Sequence, residues 1–149
     1  MGLFSRKKPP APETGLAKAV LMPSVLTMIS DGSVDDGEIH QLGNLCGFSP
    51  IFAGVDPKAL TGLIKEIIGE LNSGGLELVT QQVKSQLTMP MRETALLFAI
   101  RIALADGRVD DGEKNALLGM AARFEIPGDQ FVNMFDVMVA LQRPPQTVS

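Results

Sequence analysis

The chain of 149 residues has no tryptophan, no tyrosine, one cysteine and one histidine. A lone thiol, Cys46, excludes an intramolecular disulfide and fits a reducing compartment. One His and one Cys do not make a zinc site of ordinary composition. Without Trp or Tyr, the sequence lacks the ring platforms on which single-strand nucleic-acid binders stack bases. Long apolar runs are missing too. The stretches "LAKAVLMPSVLTMI" and "ALLFAIRIALA" each contain a Lys or Arg and fall short of the roughly 18 uninterrupted apolar residues of a membrane span. The opening "MGLFSRKKPPAPET" has its basic residues after its apolar ones and no apolar core behind them, unlike a secretory signal. Its hydroxyl falls at Ser5 and Arg6 follows, which misses the myristoylation pattern. No phosphate loop and no nucleophile elbow occur either.

What remains has the composition of one globular domain with a full core, 45% hydrophobic and 20% charged. The net charge of −4 is unevenly spread. Arg6, Lys7 and Lys8 sit in the first eight residues, which leaves ten basic against 17 acidic residues elsewhere, a balance of −7. Such a body repels a phosphate backbone, so nucleic-acid binding is not expected.

Pro9, Pro10 and Pro12 make residues 1–14 a flexible or extended arm, and "RPPQTVS" makes 143–149 a similar tail, so the folded domain is residues 15–142. Inside it the apolar residues recur at helical spacing: Leu21, Val25, Met28, Ile29; Leu60, Leu63, Ile64, Ile67, Leu71; Leu97, Ile100, Leu104; Phe131, Met134, Phe135, Met138. No strand alternation competes. Asp56-Pro57 and Met89-Pro90 read as helix starts, and "NSGG" at 72–75 as a helix stop. The spacing predicts an all-α fold of about seven helices, near 15–30, 35–46, 57–72, 76–88, 91–105, 110–124 and 129–141. Pro23 either bends the first helix or marks its effective start.

One phrase is written twice. "DGSVDDGE" fills 31–38 and "DGRVDDGE" fills 106–113, agreeing in seven of eight letters at an offset of 75. Leu21/Leu96, Val25/Ile100, Ile29/Leu104 and Leu42/Leu117 keep the offset and the apolar character. The pattern predicts two related halves, each a helix, an acidic turn and a helix. Helix capping explains much of it. Gly32 and Gly107 follow a helix end. Asp35 and Asp110 are N-caps with Glu38 and Glu113 three residues on, a capping box, and Val34 can staple onto Ile39. Asp36 and Asp111 gain from the helix dipole.

Two features resist capping. Asp31 and Asp106 end a helix, where the dipole disfavours a negative charge, and Gly37 and Gly112 lie inside a first turn, where glycine costs up to about 1 kcal/mol. A hard cation among the carboxylates would offset the repulsion, and glycine would let the backbone approach it. The candidate ligands are Asp31, Asp35, Asp36 and Glu38 in one turn and Asp106, Asp110, Asp111 and Glu113 in the other, for weakly held Ca²⁺, Mg²⁺ or Mn²⁺. The spacing is not that of an EF-hand loop.

A long apolar helix, then DG-x-V-x-x-x-E, then a second helix, duplicated in an acidic helical domain, resembles the TerB family of tellurite-resistance proteins across about residues 15–142. The matching residues are Asp31, Gly32, Val34 and Glu38, and again Asp106, Gly107, Val109 and Glu113. The resemblance implies a cytoplasmic bacterial protein, in part recruited to the inner membrane face. It also implies protein partners in tellurite and chemical-stress systems, a proposed metal-sensing role and no established enzymatic activity. Some relatives carry a J-domain; this chain has no His-Pro-Asp tripeptide, so that role is not carried over.

Other residues read more plainly. Cys46 lies on the apolar side of its helix with no resolving partner, as a packed core thiol does. His40 pairs with no nucleophile motif, and the eight Met keep helical register as core filler. The expectation is therefore a non-enzymatic protein. Its rivals are an adaptor that binds a basic partner through an acidic face without metal, and an enzyme using paired carboxylates, for which no cleft-building residues speak. Residues 1–8 carry Leu3 and Phe4 before the three basic residues, a pattern suited to weak contact with anionic lipid.

Overall fold

The computed structural model describes residues 14–30, 32, 34–105 and 107–148. Among them are six α-helices and no strand: α1 Thr14–Ser30, α2 Asp36–Gly47, α3 Pro57–Gln86, α4 Met89–Ala103, α5 Asp111–Arg123 and α6 Gly128–Leu141. A single 3-10 turn, Pro50–Phe52, precedes α3. The expected seven helices become six because 57–72 and 76–88 are joined in α3. The join is broken at Gly75, whose φ of 50° and ψ of −139° are closed to side chains.

The break turns the chain. Before it, Lys18 of α1 meets Glu66 and Glu70. At it, Leu76 faces the same cavity as Leu26, and after it Gln86 lies beside Gly15. The first part of α3 thus runs in the direction of α1 and the second part returns. The Glu70 hydrogen bond raises the Lys18 pKa above 10.5. A raised lysine stabilises fully below its unfolded value, so this link weakens only as alkaline pH passes the folded value.

α1 and α4 form the centre. Their packing follows from residues apolar on nearly every side: Ala17, Ala19, Val20, Leu21, Met22 and Val25 in α1, and Ala95, Leu96, Ala99 and Ile100 in α4, are all buried. They make the most extensive helix–helix contact, and α3 covers the other side of α1. α1 does not start at Pro23 but continues through it, with the Thr27 hydroxyl donating to the Pro23 carbonyl at 2.8 Å. α4 starts at Met89 with proline in its first turn, as expected, and Asp56 caps α3 by accepting from the Lys58 N–H at 2.9 Å.

One polar group sits badly in this core. Ser24 is fully buried and its hydroxyl has no partner. The residue 75 positions on is Ala99. Deleting an unsatisfied buried hydroxyl recovers its desolvation penalty, so Ser24→Ala is expected to raise the unfolding free energy by about 1 kcal/mol. Urea unfolding measures this; a loss of stability instead would mean that the hydroxyl donates to the helix backbone.

Candidate functional site

Both acidic turns adopt the same local geometry. Asp35, extended at φ −95° and ψ 169°, accepts the Glu38 N–H on Oδ1 at 2.8 Å. Asp110, at φ −78° and ψ 170°, accepts the Glu113 N–H on Oδ1 at 2.7 Å. The cap half of each expected box is therefore present. Asp36 and Asp111 open their helices as solvent-exposed first residues, where the N-terminal dipole favours a carboxylate. Ahead of them the chain leaves α1 and α4 alike, the Gly32 N–H bonding Ile29 O at 3.0 Å and the Gly107 N–H bonding Leu104 O at 2.8 Å. Both glycines have positive φ. Asp31 and Asp106 lie outside the described residues.

The glycines inside the first turn have a structural cause. A Cβ at Gly37 would stand 3.2 Å from Asp35 Oδ1, and one at Gly112 would stand 3.3 Å from Asp110 Oδ1. Both distances are tighter than ordinary van der Waals contact, so with a side chain there the capping carboxylate would have to give by a few tenths of an ångström. The repeated glycine makes room for the cap. Among the described residues no three of His, Cys, Asp or Glu come together to hold an ion.

Beyond the turns two grooves form. The helix after the second turn, α5, packs on α4 and α6 and stands across a cavity of about 340 Å³ from the end of α1, where Leu26, Thr27 and Ser30 face Ala116, Gly119 and Met120. The helix after the first turn, α2, lies along the end of α4, where Arg101, Ile102 and Ala105 face Gln41, Asn44 and Leu45 across one of about 250 Å³. Each residue of the first set is 75 positions from its counterpart in the second. The segments after these helices differ: a 3-10 turn and the long α3 in one case, a three-residue link and α6 in the other.

The two grooves also differ in chemistry. The α1–α5 groove has apolar walls, Leu26, Leu76, Leu117 and Met120, and reaches Glu113 beside the second acidic turn. The α2–α4 groove is more polar, and Gln142, just after α6, lies on it. Pro144 continues this segment within reach of Gly107, its Cγ 3.6 Å from where a Cβ would stand. Periodicity marks a buried face but not its partner, so neither groove was foreseen.

Cys46 is buried, and desolvation pushes its pKa up to about 12 from 9.0. A thiol so protonated is a poor nucleophile and metal ligand in the folded state. At pH 8 iodoacetamide is expected to label the native protein about a thousandfold more slowly than the urea-unfolded chain. Comparable rates would place the thiol in contact with solvent. His40 is exposed on α2 and lines one cavity with Thr61 and the buried Cys46.

Arg92 carries a structural role that the sequence reading missed. Its guanidinium donates to the carbonyls of Leu87 at 3.1 Å, Phe124 at 3.1 Å and Lys84 at 3.2 Å, closing the C-terminal ends of α3 and α5 together. The clue was a cation in the first turn of α4, where that helix's own dipole disfavours it.

The described residues thus form a helical domain with two capped acidic turns and an apolar groove between α1 and α5. The chain belongs to the family of tellurite resistance protein TerB, whose model matches residues 17–135 and so takes in both turns, the central helix pair and the groove. No curated protein and no solved structure matches the chain. No helix among the described residues is long and apolar enough to cross a membrane.

Proposed function

We propose that this chain is a non-enzymatic adaptor of bacterial tellurite and chemical-stress resistance that receives a protein segment in the groove between α1 and α5. The observation that supports it is the groove itself: an apolar wall of Leu26, Leu76, Leu117 and Met120 ending at an acidic turn, on a body whose net charge is strongly negative. Apolar side chains of the incoming segment fill the groove, and its basic residues meet the turn. The setting is the cytoplasm, with partners at the inner membrane face, as the family resemblance implies.

Complementation tests this. Gly119 lines the groove, and a Cβ there meets nothing within 4 Å, so Gly119→Arg fills the groove without disturbing the helix. In cells lacking the gene, the wild type is expected to restore growth on tellurite and Gly119→Arg to fail, at equal protein level. Equal rescue by both ends the reading.

A second reading is weakly held Ca²⁺, Mg²⁺ or Mn²⁺ at Asp31, Asp35, Asp36 and Glu38 and at Asp106, Asp110, Asp111 and Glu113. It is favoured by the caps themselves, since each cap bond uses a single carboxylate oxygen, Oδ1. In the same assay, loss of rescue by the Asp→Asn variants with rescue by Gly119→Arg would select it.

A further inference from the structure

We propose that the cavity between α2 and α4 binds a small organic carboxylate, with the charged end on the Arg101 guanidinium among the amides of Gln41, Asn44 and Gln142, and the apolar body against Phe48 and Ile102. This site is separate from the α1–α5 groove, and the proposal stands without the reading of that groove.

The first observation is a cation without a counter-charge. Three cations are half-buried among the described residues: Lys18, Arg92 and Arg101. Lys18 pairs with Glu66 and Glu70, and Arg92 donates to three carbonyls. Among the described residues the Arg101 guanidinium has neither an ion pair nor a hydrogen bond. In a chain with 17 acidic against 13 basic residues, a guanidinium held partly out of water and left uncompensated is the exception. No Asp or Glu among the described residues lines its cavity.

The second is a comparison inside the molecule. Arg101 is matched 75 positions earlier by Leu26, and Gln41 and Asn44 are matched 75 positions later by Ala116 and Gly119, all three on the α1–α5 groove. That groove forms between two helices with an alkyl chain, a methyl and a hydrogen at these places. Packing therefore does not require the guanidinium or the amides of the α2–α4 cavity. What they add is donors: the planar fork of Arg101 matches a carboxylate in two parallel bonds, and each amide offers an N–H beside it.

The third is the apolar side. Phe48 is 93% exposed at the edge of this cavity, and Leu45 and Ile102 continue the wall. The volume of about 250 Å³ falls just below the roughly 300–1,000 Å³ of drug-sized sites, which suits a carboxylate joined to one aromatic or branched apolar group. A free acid and the last residue of a peptide share that chemistry.

Phenylpropionate is the probe, titrated into the full chain at fixed ionic strength and read by amide chemical shifts. Saturable shifts are expected at Asn44, Phe48 and Ile102, with a dissociation constant on the order of millimolar. Neutral phenylpropionamide is expected to bind at least about tenfold more weakly. Arg101→Leu installs the side chain found at the counterpart position and is expected to keep the melting temperature while abolishing saturation. Gln41→Ala, at an exposed position and likewise copied from the counterpart, is expected to weaken binding about threefold, and it tests the site independently should Arg101→Leu not fold. An acetylated Ala-Ala-Phe peptide separates the sources: tighter binding than phenylpropionate assigns the carboxylate to a chain end, weaker binding to a free acid, and either supports the site. Absence of saturable shifts overturns the proposal, as do equal binding of acid and amide, wild-type binding by Arg101→Leu, or shifts centred on Leu26 and Met120. Inorganic phosphate binding as tightly as phenylpropionate overturns it too, because the apolar wall would then contribute nothing.

Discussion

Replacing Leu96 by alanine is expected to lower the unfolding free energy by about 2–5 kcal/mol, the range for deleting a fully buried leucine side chain. Leu96 has no exposed surface and belongs to α4, the helix that packs along α1 at the centre of the molecule. The surroundings are already short of give. Ala95 and Ala99 flank it on α4, and Val20, Leu21 and Val25 of α1 are equally buried, so the void left by the lost methyls does not refill by small shifts. Against a typical total of about 5–15 kcal/mol, that is a large share. Leu21→Ala, at the position 75 residues earlier and equally buried, is expected to behave in the same way. Guanidinium unfolding of the two single variants measures it. A cost below about 1 kcal/mol at either position would mean that the α1–α4 pair is not the centre of the core.

The second large effect belongs to Arg92. Arg92→Ala is expected to destabilise by about 2–3 kcal/mol, because three charge-assisted bonds to carbonyls at the ends of α3 and α5 are lost together. Lysine is expected to recover only a part of this. Its ammonium is a compact point charge and cannot hold three carbonyls in three directions as the planar guanidinium does. The loss should also show locally, as faster amide exchange in the turn after α5, where Glu125 has a positive φ of 64°. Full recovery by lysine would reduce the contact to simple charge at a helix terminus.

Much of this molecule was readable from its letters, and the reasons are specific. Residues such as Leu60, Ile64, Ile67 and Leu71 keep one face of a helix, and the structure buries all four. The caps were readable because Asp followed three residues later by Glu is a local device that needs no tertiary contact. For Pro23 a bend and a start were both open; α1 runs through it because the surrounding side chains are buried and the packing holds the helix there. The two expected helices 57–72 and 76–88 are both present as the two parts of α3, joined because Gly75 changes the chain direction without leaving a loop.

The features of the candidate site were harder. Gly37 and Gly112 read as openings for a cation, and the structure adds a neighbour that uses the same room, the cap's own Oδ1. The groove escaped altogether. Leu26 and Leu117 are both apolar, but that the end of α1 faces α5 across one cavity while the end of α4 faces α2 across another is a matter of tertiary arrangement, which spacing along one chain does not encode. Arg92 was hidden for the same reason, since its carbonyl partner at Phe124 lies 32 residues away.

The central claim is that the twice-written turn is a capping device at the edge of a docking groove, and thermal unfolding in matched ionic strength, with and without millimolar Ca²⁺, Mg²⁺ or Mn²⁺, tests it most directly. Asn caps a helix about as well as Asp, whereas Ala does not. The account predicts that Asp35→Asn with Asp110→Asn melts like the wild type, and that the corresponding alanine pair loses about 1 kcal/mol per turn. It also predicts that no divalent ion raises any melting temperature beyond the ionic-strength control. The contradicting result is a wild-type melting temperature that climbs with ion concentration, reaching about 2.7 kcal/mol of stabilisation at a hundred times the dissociation constant, and a response that disappears when Asp31, Asp35, Asp106 and Asp110 are all asparagine.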